Sequence, residues 1–519
     1  MEKKSTLKCT LAAVFAAMTV SGANAGWGDL KGSGLLIDHE KMYGIEMAPA
    51  SDGSTFIAWI NWSEDGGIDK GFSLYAQLLD PQGNKMWGET GILVDGHPSP
   101  TWCSYWNILV TPEDELVISW ADSRSEEGTD ISGYYQAMDP VLYKIDKSGN
   151  MVWGEEGVTL DNQKYQYPAM LFQVGENIYA RCTGKTESDP TQLMLLDEFG
   201  EPAWSSAKNF TGQIIASEGD DFLAVYSTTD GVMAMRYSKD MRQRWRSAAL
   251  ISEKQYGGYD LNPYTLRSDG HGGAAVCYLT PLGDFGHMPL VAYVTGEGET
   301  AFSEDVAATE DFDHLYPVMN INPETETIMT MWQMNTGPGG HSLQGAQMDY
   351  FGERMWGEIG KSLVNKQTDA FSFGPIAVEP LPGGEWLICY ADEFAYEDYQ
   401  LVLARVDAEG NITKSANIGT RGSVNSPIVT LKGDIAEILW VENNDYTDDE
   451  GVSHSAKSIR GVRVDINDLP DYSGISGVAA DAENTGVEYY STAGIRLAGP
   501  TPGLNIVRKA DGTVAKVIY

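Results

Sequence analysis

Positive charge is what this sequence has least of. Across 519 residues, 35 lysines and arginines stand against 74 aspartates and glutamates, a formal charge of −39. Nucleic-acid binding needs clustered cations, and a field of this sign repels phosphate and anionic lipid, so neither is an expected partner. Cysteine is also sparse, at 5; an exported chain could pair the four that follow the N-terminal run, so their placement decides the matter. Past the N-terminus no apolar run approaches the roughly 20 residues of a membrane helix, so no membrane span is expected. The seven histidines are scattered, at His39, His97, His271, His287, His314, His341 and His454. None sits in His-Glu-x-x-His, and neither a Gly-x-Ser-x-Gly elbow nor a phosphate-cradling glycine loop followed by lysine occurs.

What the chain does have begins with a leader. Lys3, Lys4 and Lys8 flank the start of an apolar run from Leu11 to Val20, and Ala23-Asn24-Ala25 precedes Gly26. That layout reads as a secretory signal peptide over residues 1–25, cleaved before Gly26, and predicts export through an inner membrane. Cys9 precedes the run, so it is not placed as a lipoprotein cysteine. Cys103, Cys182, Cys277 and Cys389 remain in the mature chain.

The strongest signal is a repeat. A strand is followed by Asp, two residues, Gly, three residues and Trp: Asp80-Gly83-Trp87, Asp146-Gly149-Trp153, Asp197-Gly200-Trp204 and Asp349-Gly352-Trp356. Degenerate copies run from Ser238 to Trp245, from Thr295 through Gly298 to Phe302, at Asp407 with Gly410, and at Asp465. The Asp side chain caps a tight turn and Gly takes its positive φ. Upstream in each unit, one slot is expected to hold Trp59, Trp120, Cys182, Tyr226, Cys277, Trp332, Cys389 or Trp440, an inward-facing core position where free Cys acts as a small hydrophobe. A further apolar strand precedes each slot. Eight units of four short strands predict an all-β fold, an eight-bladed β-propeller over residues 26–472. The last unit lacks its fourth strand while Trp27–Ile37 reads as an orphan, so the N-terminal strand is expected to complete the last blade and remove two sheet edges. Cys182, Cys277 and Cys389 fall in non-adjacent units, too far apart for a disulfide.

This Asp, Gly, Trp pattern resembles the repeat of quinoprotein-type propellers and that of exported proteins of Bacteroidetes-type bacteria. The matching positions are structural, and no adjacent-cysteine pair or assembled quinone and calcium ligand set accompanies them, so the resemblance implies the fold without the cofactor. The sialidase Asp-box, Asp-x-Gly-x-x-Trp, is one residue shorter on each side of the glycine and does not fit.

After Pro470 a Ser, Gly and Ala-rich linker over 473–485 leads to a tail, 486–519. Its Tyr489-Tyr490 start, Gly494-Ile-Arg496 turn, Pro502-Gly503-Leu-Asn-Ile-Val-Arg508 strand and closing Lys516-Val-Ile518 strand are similar to the C-terminal sorting domain of type IX secretion cargo. That resemblance implies a small β-sandwich-like domain, the type IX secretion machinery as a partner, and a secreted or outer-surface location.

Function is expected on the face where blade-to-blade loops and second-to-third-strand loops meet, because the other hairpins are short. The second-to-third loops are longest in units eight, one and two, neighbours in a closed ring. They carry Asp65, Asp69, Asp122, Asp130, Asp445 and Asp448, oxygen ligands of the kind calcium takes, though none follows the EF-hand spacing; calcium is the one cofactor they suit. The blade-to-blade loops hold Tyr43, Trp102, Trp106, Tyr165, Tyr167, Tyr256, Tyr259, Phe312, Tyr316 and Phe371, rings suited to the apolar faces of a sugar or to a peptide. The expected function is a monomeric binding module for glycan or protein ligands, with a propeller hydrolase or lyase on polysaccharide, or a structural and adhesive surface protein, as the alternatives. Two facing carboxylates with an arginine in a pocket would favour the enzyme.

Overall fold

The computed structural model describes residues 26–472, apart from 41, 63–70, 100–105, 125–137, 163, 187, 258–262, 284–285, 308–312, 336–340, 367–372, 396–397, 445, 448–452 and 455, together with 488–490, 496–497, 504–508 and 514–518 of the tail. Eight four-stranded antiparallel sheets follow one another along the chain. Their innermost strands are Met42–Pro49, Asn107–Val110, Tyr165–Val174, Gln213–Ala216, Thr265–Ser268, Asp313–Asn322, Phe373–Pro380 and Asn425–Lys432. Each innermost strand touches the next, and the eighth touches the first, so the sheets close into a propeller around a channel. The N-terminal strand Gly34–Glu40 pairs with Ala456–Asp465 as the outer strand of blade eight, which closes the ring as the orphan strand predicts.

The repeat residues join blades as well as turning strands. Asp80 Oδ1 accepts from the backbone N–H of Gln82 at 2.9 Å and of Asn84 at 2.8 Å, as turn chemistry requires. Where the next unit's turn carries glycine, the preceding tryptophan lies on it; Trp204, whose next turn has Met241 in that place, packs in the same cluster as Met241 and makes no such hydrogen bond. Trp87 Nε1 donates to Lys147 O at 3.0 Å, Trp153 to Glu198 O at 2.9 Å, Trp245 to Gly296 O at 2.8 Å and Trp356 to Ala408 O at 2.8 Å. Gly200 has φ +80°, and a Cβ there would stand 2.8 Å from the Trp153 ring. The Trp27 ring also lies on Gly83, without the indole hydrogen bond, and so spans the closure between blades eight and one.

Strand register corrects two of the eight slot positions. The slot residue pairs with the third-strand residue at a fixed distance before the turn: Trp59 with Tyr75, Trp120 with Val141, Cys182 with Gln192 and Tyr226 with Met233. In blades five and seven that pairing belongs to Tyr278 and Tyr390, facing Leu290 and Val402, and Trp332 and Trp440 complete the set. Cys277 and Cys389 sit one residue earlier and turn to the opposite blade interface, where they pack with Trp332 and Trp440 respectively. Cys182, Cys277 and Cys389 are free, buried thiols, and burial pushes the Cys277 and Cys389 thiols up to about 12.

In the tail, Glu488–Tyr490, Arg496–Leu497, Leu504–Arg508 and Val514–Ile518 form one four-stranded antiparallel sheet; no second, facing sheet is among the described residues. The leader and the linker lie outside the described residues. Among those described, no helix is long and apolar enough to cross a membrane.

Candidate functional site

Antiparallel order puts the start of every first strand and the end of every second strand on one face, the face that carries the longest loops. Trp62, Asp122 and Asn443 end the second strands of blades one, two and eight there. Most of the acidic positions expected to bind calcium, Asp65, Asp69, Asp130, Asp445 and Asp448, lie outside the described residues. Asp122 is described, and it is fully buried.

Asp122 belongs to a cluster that the sequence keeps apart. The outer strand of blade one, Ile92–Ser99, brings Asp95 and His97 beside Asp122 and Arg124 of blade two. Arg124 donates from NH2 to Asp122 Oδ2 at 2.8 Å and from Nε to Asp122 Oδ1 at 3.1 Å; it also donates to the Tyr143 hydroxyl at 2.8 Å. Its NH2 reaches Asp95 Oδ2 at 3.4 Å. The His97 ring meets Asp95 Oδ1 through Nδ1 at 3.0 Å. Burial, and then the hydrogen bond with Asp95, push the Asp122 carboxyl up to about 7. Such a shift in a low-dielectric site is typical of functional carboxyls and of structural ion-pair networks alike.

Exposure decides between those two. Asp95, His97 and Asp122 offer ligand atoms within 4.8 Å of one another, a spacing a metal could use. Arg124 already supplies the positive charge between the two carboxyls, and both carboxylate side chains are 0% exposed. Two carboxyls and an arginine are therefore present, but the arginine closes over them instead of facing a pocket. The cluster ties blade one to blade two beneath the loop face. Sequence reasoning missed Asp95 and His97 because nothing in an Asp-Gly-His strand points to a partner in the next blade.

The aromatic residues divide by burial. Trp106 is 5% exposed and meets the Trp120 ring edge-on at 6.1 Å, and Tyr165 is 4% exposed with its hydroxyl donating to Gln192 Oε1 at 2.6 Å. These two rings pack into blade interfaces. Tyr167 and Tyr256 are half-buried. Tyr316 is 62% exposed. The backbone of Tyr43 is described but its side chain is not, and Trp102, Tyr259, Phe312 and Phe371 lie outside the described residues.

Tyr167 and Tyr316 share an unusual backbone, with φ of +65° and +53°. Each precedes a proline and sits in a β-bulge where the first strand enters its blade. The left-handed region costs a non-glycine residue about 1–2 kcal/mol; Ser426, before Pro427 in the matching bulge of blade eight with φ +47°, shares it, so the bend belongs to the way a first strand enters its blade.

Beside Tyr167 on the same face, blade three opens a cleft of about 790 Å³. Gln166, Thr183, Lys185, Thr186, Asp189 and Thr191 line it, a set of hydroxyl, amide and charged groups. Lys185 Nζ is held by Asn162 O at 2.8 Å, and Thr186 Oγ1 donates to Asp189 at 2.8 Å. Gln166 Nε2 donates to Gly184 O at 3.1 Å, while its Oε1 is buried with no hydrogen-bond partner among the described residues. An orphaned acceptor costs about 1–3 kcal/mol unless a ligand or water donates to it. Sequence reasoning passed over this cleft because its loop is short and carries no aromatic residue.

No family model matches this chain, and no curated protein matches it. Solved structures with a similar trace include a europium-containing methanol dehydrogenase at 10% identity, covering 83% of this chain and 93% of that one with a TM-score of 0.41. The β-propeller domain of the Trilobed protease from Pyrococcus furiosus, described as having an open velcro topology, is 8% identical over 70% of this chain and 92% of that one, with a TM-score of 0.38. A prolyl endopeptidase is 11% identical over 83% of this chain and 54% of its own, with a TM-score of 0.38. The propeller assignment rests on the strands of this chain.

Proposed function

We propose that this protein is an exported surface or secreted binding module that takes glycan ligands, or protein ligands with exposed hydroxyls and amides, on the loop-bearing face of its propeller. The observation that carries this reading is the polar cleft of blade three with the unpaired Gln166 acceptor beside it. Sugars present many hydroxyl donors and acceptors around apolar C–H faces, and a site with a few placed polar groups beside a ring suits them. Tyr167, next in sequence to the cleft residue Gln166, and Tyr316 are aromatic rings on the same face. Export rests on the leader residues, and delivery to the outer surface by the type IX machinery rests on the tail motif.

The test is a thermal-shift screen of the mature chain, from Gly26, against oligosaccharides and polysaccharides with and without calcium, with each mixture assayed for released sugar. A ligand that binds only the folded state raises the melting temperature by an amount set by its concentration over its dissociation constant. The expected result is a shift with at least one glycan that Gln166→Ala and Tyr167→Ala each reduce, without sugar release. Release would replace this reading with a hydrolase or lyase. A flat panel would overturn the glycan assignment.

A further inference from the structure

The channel holds a second polar place, unrelated to the cleft. Register sets one level of its wall: the inner-strand residue paired with the position three before each slot. At this level blades two, three and four present Leu109, Phe172 and Ile215, opposite Val117, Tyr179 and Leu223. Blades five, six and seven present Arg267, Asn320 and Glu379, opposite Ala275, Met329 and Leu387. Three blades are apolar at this level and three carry a cation, an amide and an anion, while blades eight and one present Thr430 and Ala48.

The polar arc is unfinished. Asn320 Nδ2 donates to Val378 O at 2.9 Å and to Glu379 Oε2 at 3.1 Å, which fixes the Glu379 carboxyl. Arg267 donates from NH1 to Leu266 O at 2.9 Å and makes no other hydrogen bond among the described residues. A guanidinium has five N–H donors, so most of this one is unspent. Arg267 is exposed although it lies on an innermost strand. Packing among those strands nevertheless strips water from it and lowers its pKa, with Glu379 acting the other way. Both facts hold for a side chain that faces a narrow lumen. Arg267 and Glu379 belong to blades that are not neighbours, and no salt bridge joins them among the described residues; each feels the other's charge with blade six between them.

We propose that this level of the channel binds a carboxylate-bearing small ligand, with the carboxylate on Arg267 and a hydroxyl or ammonium donor of the same ligand on Glu379. A carboxylate is the group that matches a planar guanidinium with two parallel N–H donors. In a protein of charge −39, a free guanidinium inside the ring is the place where such an anion is favoured. The apolar arc, Leu109, Phe172 and Ile215, would cover the ligand's other side. The carboxylate can come from an acidic sugar or from a peptide, and the two sources are separable by experiment.

Glucuronate, glycylglycine and neutral glucose are titrated into the mature chain at low salt, with binding read by calorimetry. Glucuronate, glycylglycine or both should bind, glucose should not compete, and Arg267→Gln should weaken binding by at least about tenfold, as loss of a charge-assisted hydrogen bond implies. Preference between the two carboxylates identifies the source. Phenylglyoxal labelling of Arg267 in the unsubstituted chain, followed by peptide mass spectrometry, gives a readout that no variant's folding can spoil: the bound carboxylate should slow it. Gln166→Ala should leave this binding unchanged, which separates the channel site from the cleft. Absence of carboxylate binding at concentrations on the order of 10 mM, or binding that survives Arg267→Gln with labelling unprotected, would overturn the proposal.

Discussion

Gly200 and Gly154 have nearly the same backbone and different surroundings, which makes them a test of what holds the blades together. Their φ angles are +80° and +91°. A Cβ at Gly154 would meet nothing within 4 Å, whereas one at Gly200 would lie 2.8 Å from Trp153 Cδ2 and 2.9 Å from Cε3. Gly154→Ala therefore measures positive-φ strain alone, about 1–2 kcal/mol. Gly200→Ala adds overpacking of about 1–3 kcal/mol. It also adds about 1 kcal/mol if the ring is displaced and the Trp153 Nε1 bond to Glu198 O is lost. Urea unfolding curves should show the second variant less stable than the first by about 2 kcal/mol or more. In a double-mutant cycle, Trp153→Ala should absorb most of that excess, because the clash has no partner once the ring is gone. Equal costs for the two glycine variants, or no coupling to Trp153, would refute the claim that these glycines exist to seat the tryptophan of the preceding blade.

The remaining predictions concern charge, strain and thiols. Burial pushes the Glu46 carboxyl up from 4.5 to about 7, so between those values the folded chain holds a proton that the unfolded chain has released; its contribution makes stability fall as pH rises through this window, by about 3 kcal/mol, and level off above it. Glu46→Gln should remove that slope in urea curves taken from pH 4 to 8. Arg124→Met strands Asp95 and Asp122 as buried carboxyls and should cost about 3–5 kcal/mol at pH 8, with part of it recovered by adding Asp122→Asn. Tyr316→Gly relieves a φ of +53° and should leave stability unchanged or raise it by about 1 kcal/mol, while lowering glycan affinity in the thermal-shift screen. Cys182, Cys277 and Cys389 should resist a disulfide thiol reagent in the folded chain and react on unfolding, because each is buried and its thiol is held protonated.

The ring was readable because a propeller repeats its chemistry: the same Asp, Gly and Trp recur at a spacing only a four-stranded unit explains, and a missing last strand matches a spare first one. What the repeat concealed was direction. Alternation along a strand sends neighbouring residues into opposite blade interfaces, so Cys277 and Cys389 looked equivalent to Trp59, while the ladder gives that place to Tyr278 and Tyr390. One residue of register is enough to change which interface a side chain fills. The functional groups were less legible for a related reason. Arg124 meets Asp95, and Asn320 meets Glu379, across blade boundaries, at 3.4 Å and 3.1 Å, and no local spacing encodes such pairs. An aromatic at a loop exit reads the same in sequence whether it fills an interface, as Trp106 does, or stands in solvent, as Tyr316 does. Burial separates them, and burial is set by the neighbouring blade. Charged groups of this kind meet where two or three blades converge, and Arg267 with Glu379, two blades apart at one level of the channel, is such a place.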